Sequence, residues 1–379
     1  MTPFKDISPD VFMTETTPAD ELVTPALTIH LPTVRRNVDR ILDAIGDPAC
    51  WRPHLKTTKI PEIWRMLLDA GVDRFKCSTT REMAVLLELA PDVDILLAHH
   101  PTPTGLRRLA ELQKAHPSSR LSTLVETTEA VAALPDGIGG FVDVDPGMTR
   151  TGMSLEDPDA IALVALACGD RWRGVHFYDG HIRDGREGDR RERAHAAYDE
   201  LLELDASLGG ADELITSGTT TFLHALSHAR LVGTMRHTVS PGTVVLHDAL
   251  SAEMEEVDRL GLEPAAVVLA HVVSHPAPDV FTLAAGHKSI SADAGDPCCV
   301  ILGEPGMTPL HPSEEHLPVR VHEGALPQRG TVLALVPKHV CPTVNLARHA
   351  ILLEDGERRA TVVPVAAGGH ETPRPDTWN

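Results

Sequence analysis

Trp51-Arg52-Pro53-His54-Leu55-Lys56-Thr57-Thr58-Lys59 is the stretch on which the fold turns. A short apolar strand ends at Lys56, and an amphipathic segment opens at Lys59-Ile60-Pro61-Glu62-Ile63. Strand, loop and helix in that order make one unit of a parallel α/β barrel, and such barrels keep their chemistry at the C-terminal mouths of the strands. Lys56 stands at that mouth. The cationic neighbours Arg52, Lys59 and His54 predict a lowered pKa and a free amine, the state required of a lysine that condenses with a carbonyl. Read alone, the nonamer also suits a surface lysine in an ordinary loop.

Outward from this stretch the same texture repeats. Short apolar runs at 26–31, 73–77, 94–98, 121–125, 140–145, 173–177, 213–216 and 231–235 alternate with helical patterns. Between the first run and Trp51, residues Val34, Val38, Ile41, Leu42 and Ile45 share one helical face, with Thr33 as the expected N-cap. Repeated β-then-α units predict a parallel sheet, and about eight of them predict a closed (β/α)8 TIM-like barrel. With the run ending at Lys56 there are nine candidates, so one lies outside the barrel or one run is not a strand. A doubly wound sheet is the runner-up, but no glycine-rich dinucleotide fingerprint follows the first run. Beyond residue 250 the runs 267–273, 280–284, 319–321, 331–336, 350–354 and 360–365 are β-prone and separated by Pro, Gly and His, with few helical patterns between them. The expected division is therefore a barrel over 26–248 and a β-rich domain built from 1–25 and 249–379.

Composition narrows the function. A net charge of −20, from 34 Lys and Arg against 54 Asp and Glu, argues against a nucleic-acid or anionic-membrane surface. No uninterrupted apolar window is long enough to span a bilayer, and residues 1–20 lack the basic and apolar blocks of a secretion signal. Six dispersed cysteines give no disulfide framework, and a reducing cytoplasm is the expected location.

Near the far end the chain reads Leu335-Val336-Pro337-Lys338-His339-Val340-Cys341-Pro342-Thr343-Val344-Asn345. His339 and Cys341 are two residues apart, so on an extended segment their side chains point the same way. An imidazole and a thiolate together suit zinc among the common metals, though a lone pair of this kind is also met as packed side chains. Taken together, the two motifs resemble the D-threonine aldolase and D-serine dehydratase family of pyridoxal-phosphate enzymes. That family pairs an Arg-Pro-His-x-Lys-Thr-x-Lys signature with a late Pro-x-His-x-Cys/Asp-Pro-Thr metal motif, and the resemblance runs over most of the chain.

The resemblance implies a barrel followed by a β domain, in a homodimer with its active site near the subunit interface. It makes Lys56 the lysine that carries pyridoxal 5′-phosphate. Thr216-Ser217-Gly218-Thr219-Thr220-Thr221 and Ser240-Pro241-Gly242-Thr243 look like the family's phosphate loops, which assigns Ser217, Gly218, Thr219, Thr220, Gly242 and Thr243 to the cofactor. Asp143-Val144-Asp145-Pro146-Gly147-Met148-Thr149-Arg150 is similar to a segment that sets Arg150 beside the cofactor ring; the alternative is a loop arginine paired to Asp143 or Asp145. Tyr178 is expected at the ring as well. The sequence departs from the aldolases at Asp179, where they have a base histidine, so His181 is the candidate base, with a metal-bound hydroxide as the alternative. His339 and Cys341 would hold one divalent metal, zinc before manganese or magnesium, with Asp248 and the Ser313-Glu314-Glu315-His316 cluster nearby. Gly286 to Asp293 is similar to an element of the dimer interface.

The expected activity is cleavage of a D-β-hydroxy-α-amino acid to glycine and an aldehyde. The neighbourhood of Pro297 to His316 favours this aldolase reading, whereas Cys341 favours a D-serine dehydratase giving pyruvate and ammonia, and a 3-hydroxy-D-aspartate lyase is a further variant. A racemase has no use for the metal pair. A non-catalytic carrier of the cofactor lacks the last 130 or so residues, with their β-rich pattern and His-x-Cys motif.

Overall fold

The computed structural model describes residues 4, 7–13, 21–234, 236–354 and 360–372. The chain divides into two compact units, one drawn from Met1–Ile41, Thr57–Ile63 and Thr243–Gly368, the other from Leu42–Lys56, Trp64–Gly242 and Gly369–Asn379.

The surplus ninth strand is the first. Ala26–His30 (β1) pairs antiparallel with Ala266–Ala277 and parallel with His349–Leu353, both in the strand-rich unit. A strand followed by a helix looks alike whichever sheet takes it, and here the partners lie far along the chain. The helix that follows, Leu31–Ile45, buries Val34, Val38 and Ile41 as the periodicity predicts. It begins two residues before Thr33, so Thr33 is not its N-cap; its hydroxyl lies 2.8 Å from His30 Nδ1 instead.

The parallel sheet consists of Arg74–Cys77 (β2), Asp94–Leu97 (β3), Arg120–Val125 (β4), Gly139–Asp145 (β5), Trp172–Phe177 (β7), Glu213–Thr216 (β8) and His237–Val239 (β9), each paired with the next; the short Met153–Ser154 (β6) pairs with β5 alone. Its two edges meet through the opening nonamer. Trp51 bridges Val239 and His54 bridges Lys76, both parallel, so residues 51–54 complete an eight-membered ring. Backbone bonds secure the closure: Arg52 N to Val239 O at 2.9 Å, Lys76 N to Pro53 O at 3.1 Å and Leu55 N to Lys76 O at 2.7 Å. Pro53 has no N–H to give, which is why this member pairs through isolated bridges and not a continuous ladder. The run expected at 231–235 is replaced by His237–Val239: residues 231–233 form a turn, and Met235 lies outside the described residues.

Inside the ring, Leu96, Leu124, Phe141 and Ile215 form an apolar layer. The fully buried Arg52 guanidinium binds Glu213 at 2.9 and 2.7 Å and Asp94 at 2.8 Å. Those carboxylates stand at the first residues of β8 and β3, so Arg52 plugs the end of the ring opposite Lys56. It is not the cationic neighbour that the sequence suggested for that amine.

In the other unit, Ala266–Ala277 (β10), Val280–Leu283 (β11), Cys299–Ile301 (β12), Met307–Pro309 (β13), Leu317–Val321 (β14), Val332–Pro337 (β15), His349–Leu353 (β16) and Ala360–Pro364 (β17) build one sheet with β1. Its order is β13-β14-β11-β10-β1-β16-β17, with β15 joining β10 to β12. Alternate residues of β10 serve opposite faces. Val268, Ala270 and Val272 pack with Phe281, Leu283, Cys299 and Val319, while Val267 and Leu269 pack with Leu302, Ala334, Val336 and Phe12. Phe12, in the short turn Pro9–Phe12, packs into this unit. No helix among the described residues is long and apolar enough to cross a membrane.

Candidate active site

The mouth of the ring opens into a cavity of about 470 Å3 lined by His54, Lys56, Lys76, Ser78, Ala98, His99, His100, Leu124, Arg150, Thr151, His176 and Tyr178. The volume suits a drug-sized cofactor. The lining carries cationic and imidazole groups and no carboxylate, so it favours an anionic occupant.

Tyr178 follows β7. Its ring lies 4.7 Å from the Arg150 guanidinium carbon and 5.3 Å from Lys76 Nζ. Two glycines leave room for it: a Cβ on Gly218 would stand 2.9 Å from the ring, and one on Gly180 would strike the phenol oxygen at 2.3 Å. Arg150 has no ion pair with an acid among the described residues. Asp145 instead accepts from the backbone N–H groups of Gly147, Met148 and Thr149 at 2.7–3.0 Å.

Asp143 is shared by two histidines. Its Oδ1 lies 2.6 Å from His176 Nδ1 and its Oδ2 3.1 Å from His100 Nε2. Burial opposes the Asp143 charge, but His176, His100 and Thr151 hold its carboxyl well below the usual range. Burial, then the charge of Lys76, pushes His176 down to about 4, so this imidazole is neutral at pH 7. With Nδ1–H donated to Asp143, His176 Nε2 is a bare acceptor, buried and without a partner. Lys76 is the other group the sequence reading missed. It is 3 % exposed, and burial followed by the charge of Lys56 brings its pKa down to about 7.

The Ser217–Thr220 loop does not line the cavity itself; it meets the wall through Gly218 against Tyr178. Ser217 holds a left-handed φ of 44° and spends its hydroxyl on Thr216 Oγ1 at 2.9 Å, with Tyr198 at 3.2 Å. Thr219 follows on the same loop, and the Thr220 hydroxyl oxygen is buried with no partner. An orphaned hydroxyl two residues from Gly218 fits a phosphate group. Gly242 is required by contact: a Cβ there would stand 2.4 Å from the His54 carbonyl oxygen. Asp179, standing where the aldolases have a histidine, is fully buried away from the cavity. It accepts from Tyr198 at 2.5 Å and Thr221 at 2.6 Å and so anchors the end of the loop. His181 is absent from the cavity wall, and its Nδ1 is buried without a partner.

Thr243 belongs to the strand-rich unit, where its hydroxyl lies 3.4 Å from Cys341 Sγ; Thr57 lies 3.0 Å from the same sulfur. His339 and Cys341 are not on an extended segment. β15 ends at Pro337, His339 caps the helix Val340–Leu346, and Cys341 is that helix's second residue, with Pro342 in the first turn where a missing N–H costs nothing. Their side chains still meet through a hydrogen bond. Asp293 Oδ2 lies 2.7 Å from His339 Nδ1, and Asp248 Oδ2 accepts from Val340 N at 3.0 Å. A carboxylate on one imidazole nitrogen orients the ring for a metal on the other. No group of three or more His, Cys, Asp or Glu positioned for a metal occurs among the described residues. Glu314 and Glu315 are exposed and paired with Lys288 at 2.9 and 3.4 Å, and His316 is exposed too.

Lys76, His100 and His176 went unread because they sit on separate strands or the residues just after them. The available signal was polar residues inside apolar strand runs, Arg-Phe-Lys-Cys and Val-His-Phe-Tyr, near the ends where the ring opens.

Comparison with known proteins agrees with this geometry. Residues 29–232 match the family described as "Alanine racemase, N-terminal domain", and residues 265–353 match "Putative serine dehydratase domain". A D-threonine aldolase of Arthrobacter sp. is 31% identical over 360 residues, spanning 89% of this chain and 92% of that protein. A 3-hydroxy-D-aspartate aldolase of Paracoccus denitrificans is 26% identical, over 92% of this chain and 93% of its own length. The crystal structure of D-threonine aldolase from Filomicrobium marinum superposes with a TM-score of 0.79 at 25% identity, covering 92% of this chain and 96% of that one.

Proposed function

The chain belongs to the D-threonine aldolase and D-serine dehydratase family of fold-type III pyridoxal-phosphate enzymes, and on that premise we propose that it is a lyase splitting a D-β-hydroxy-α-amino acid into glycine and an aldehyde. The observation that carries this reading is Lys56 on the wall of a cationic, carboxylate-free cavity, with an unpartnered Thr220 hydroxyl on the loop behind that wall.

Pyridoxal phosphate, when bound, supplies the electron sink for the pair released from the broken Cα–Cβ bond. Lys56, on the cavity wall, would hold the cofactor through its side-chain amine. Thr220 and the backbone of Ser217, Gly218, Thr219, Gly242 and Thr243 are proposed to take the phosphate, and Arg150 and Tyr178 to bound the ring. Arg150 is a cation with no carboxylate of its own on the cavity wall, suited to the ring's phenolic oxygen. His339 and Cys341 would hold the divalent metal, with zinc favoured by the thiolate over manganese or magnesium; the ion would lower the pKa of the substrate hydroxyl. His181 is the proposed acceptor of that hydroxyl proton. His176 competes for the role because its bare Nε2 belongs to a residue on the cavity wall.

D-Serine dehydratase is the second reading, and Cys341 favours it. We further propose a homodimer in a reducing cytoplasm, in keeping with six cysteines of which none is in a disulfide among the described residues. The deciding experiment supplies purified protein with pyridoxal phosphate and Zn2+ or Mn2+, then D-threonine, D-serine or 3-hydroxy-D-aspartate separately. Glycine and acetaldehyde from D-threonine support the aldolase; pyruvate and ammonia from D-serine support the dehydratase; no turnover of any of the three would sink the reading. The same assay on His181→Gln and His176→Gln identifies the base as the variant whose kcat falls about 10^2–10^4-fold.

A further inference from the structure

We propose that Lys76 is a second acid–base group of this site, the one that moves the proton at the carbon left behind when the Cα–Cβ bond breaks. The inference rests on the lyase reading above and adds to it a residue role.

Lys76 and Lys56 come from adjacent members of the ring. His54 is the register partner of Lys76, and both lysines line the same cavity. Lys76 is buried, yet its amine is given no carboxylate: its hydrogen-bond partner is Ser240 Oγ at 3.2 Å, and the face of Tyr178 lies 5.3 Å away. Ser240 directs its own proton to the carbonyls of Thr216 and Ser217, both at 3.0 Å, so it only accepts from Lys76. That leaves the amine with N–H positions that no protein acceptor fills. Arg52 is the control within the same ring, since its buried cation has both Glu213 and Asp94. Burying a lysine without such partners costs several kcal/mol, and a cost of that kind is typical of functional groups.

The charged groups that face Lys76 are Lys56 from the closing segment, Arg150 after β5, Arg52 within the ring and Asp143 on β5. Asp143 is already bonded to His100 and His176, and His176 on β7 is neutral. Burial first, and then the charge of Lys56, lowers the pKa of the ammonium to about 7, where a group serves equally as acid and base.

The step balances. The Cα–Cβ pair stays with Cα, one N–H bond of the Lys76 ammonium breaks and a C–H bond forms at that carbon. Lys76 is left neutral and regains its proton from the histidine that accepted the hydroxyl proton. In reverse, the neutral amine removes an α-proton from glycine.

That reverse half supplies the test. Holoenzyme, Lys76→Met and Lys76→Arg are each given glycine in D2O, and α-proton exchange is followed by NMR beside D-threonine cleavage and the visible spectrum of bound cofactor. In Lys76→Met we expect exchange to fall at least about 10^2-fold, with the cofactor spectrum and KM retained. Lys76→Arg is expected not to rescue exchange, because a guanidinium does not release its proton. The wild-type exchange rate should inflect near pH 7, an inflection absent from Lys76→Met. Wild-type exchange in Lys76→Arg, or a flat wild-type profile through pH 7, overturns the proposal and leaves the lyase reading standing. Should Lys76→Met fail to fold, the arginine variant and the wild-type profile still decide. A holoenzyme that neither exchanges glycine nor cleaves any β-hydroxy amino acid overturns the lyase reading itself.

Discussion

At the scale of single residues, three buried or half-buried cations with similar chemistry have three fates. Arg52 is neutralised by two carboxylates and closes one end of the ring, Lys56 lies on the cavity wall at the other, and Lys76 is buried without an ion pair. Lys56, His339 and Cys341 were legible because each sits in a contiguous motif. Lys76 and the His100–Asp143–His176 cluster were not, because closure of the ring brings them together from β2, β3, β5 and β7. Asp293 belongs here too. In the proposed metal site its bond to His339 would make it an orienting carboxylate, so Asp293→Asn should weaken metal affinity about 10–100-fold while leaving thermal stability of the metal-free protein nearly unchanged. Titration with zinc and a competing chelator measures it, and equal affinity in the variant would refute the orienting role.

Elements were legible where a local period was enough. Six runs of the parallel sheet and the closing stretch at 51–56 were read correctly, since each is apolar and bounded by turn residues. β9 was missed because His237 and Thr238 are polar in sequence although buried. The His-x-Cys helix was read as extended despite Pro342, whose place in a first helical turn is a recognisable start signal. Gly242 shows how one element constrains another. With the His54 carbonyl 2.4 Å from any Cβ, Gly242→Ala must move the loop away from the closing segment. The expected cost is about 1–3 kcal/mol, read as a lower denaturant midpoint together with weaker retention of cofactor on dialysis. An unchanged midpoint would mean that the loop yields freely.

For the whole molecule, pH sets stability through groups buried without charge. His176, His237 and His247 are each held near 4 by burial, against an ordinary 6.5. The unfolded chain takes up protons as pH falls below 6.5 while the folded chain does not until about 4, so stability is complete above 6.5 and drains between those values. Lys76 acts in the same direction at higher pH, favouring the folded state progressively from about 7 towards 10.5. Each unit of displacement is worth about 1.4 kcal/mol, so the urea midpoint should rise steeply from pH 4.5 to 6.5. A midpoint constant over that interval would show that these histidines are protonated in the folded protein.

β1 carries one more consequence, and it concerns synthesis. The strand leaves the ribosome before any member of the ring, but its parallel neighbour β16 is made after them all. All eight members of the ring are translated in the interval. The nascent chain therefore holds an orphan apolar strand in waiting until β16 emerges, and emergence of that strand, not of the ring, licenses completion of the strand-rich sheet. Stalled or truncated chains that end before His349 would expose that edge, which makes them natural clients for chaperones that bind extended apolar peptide.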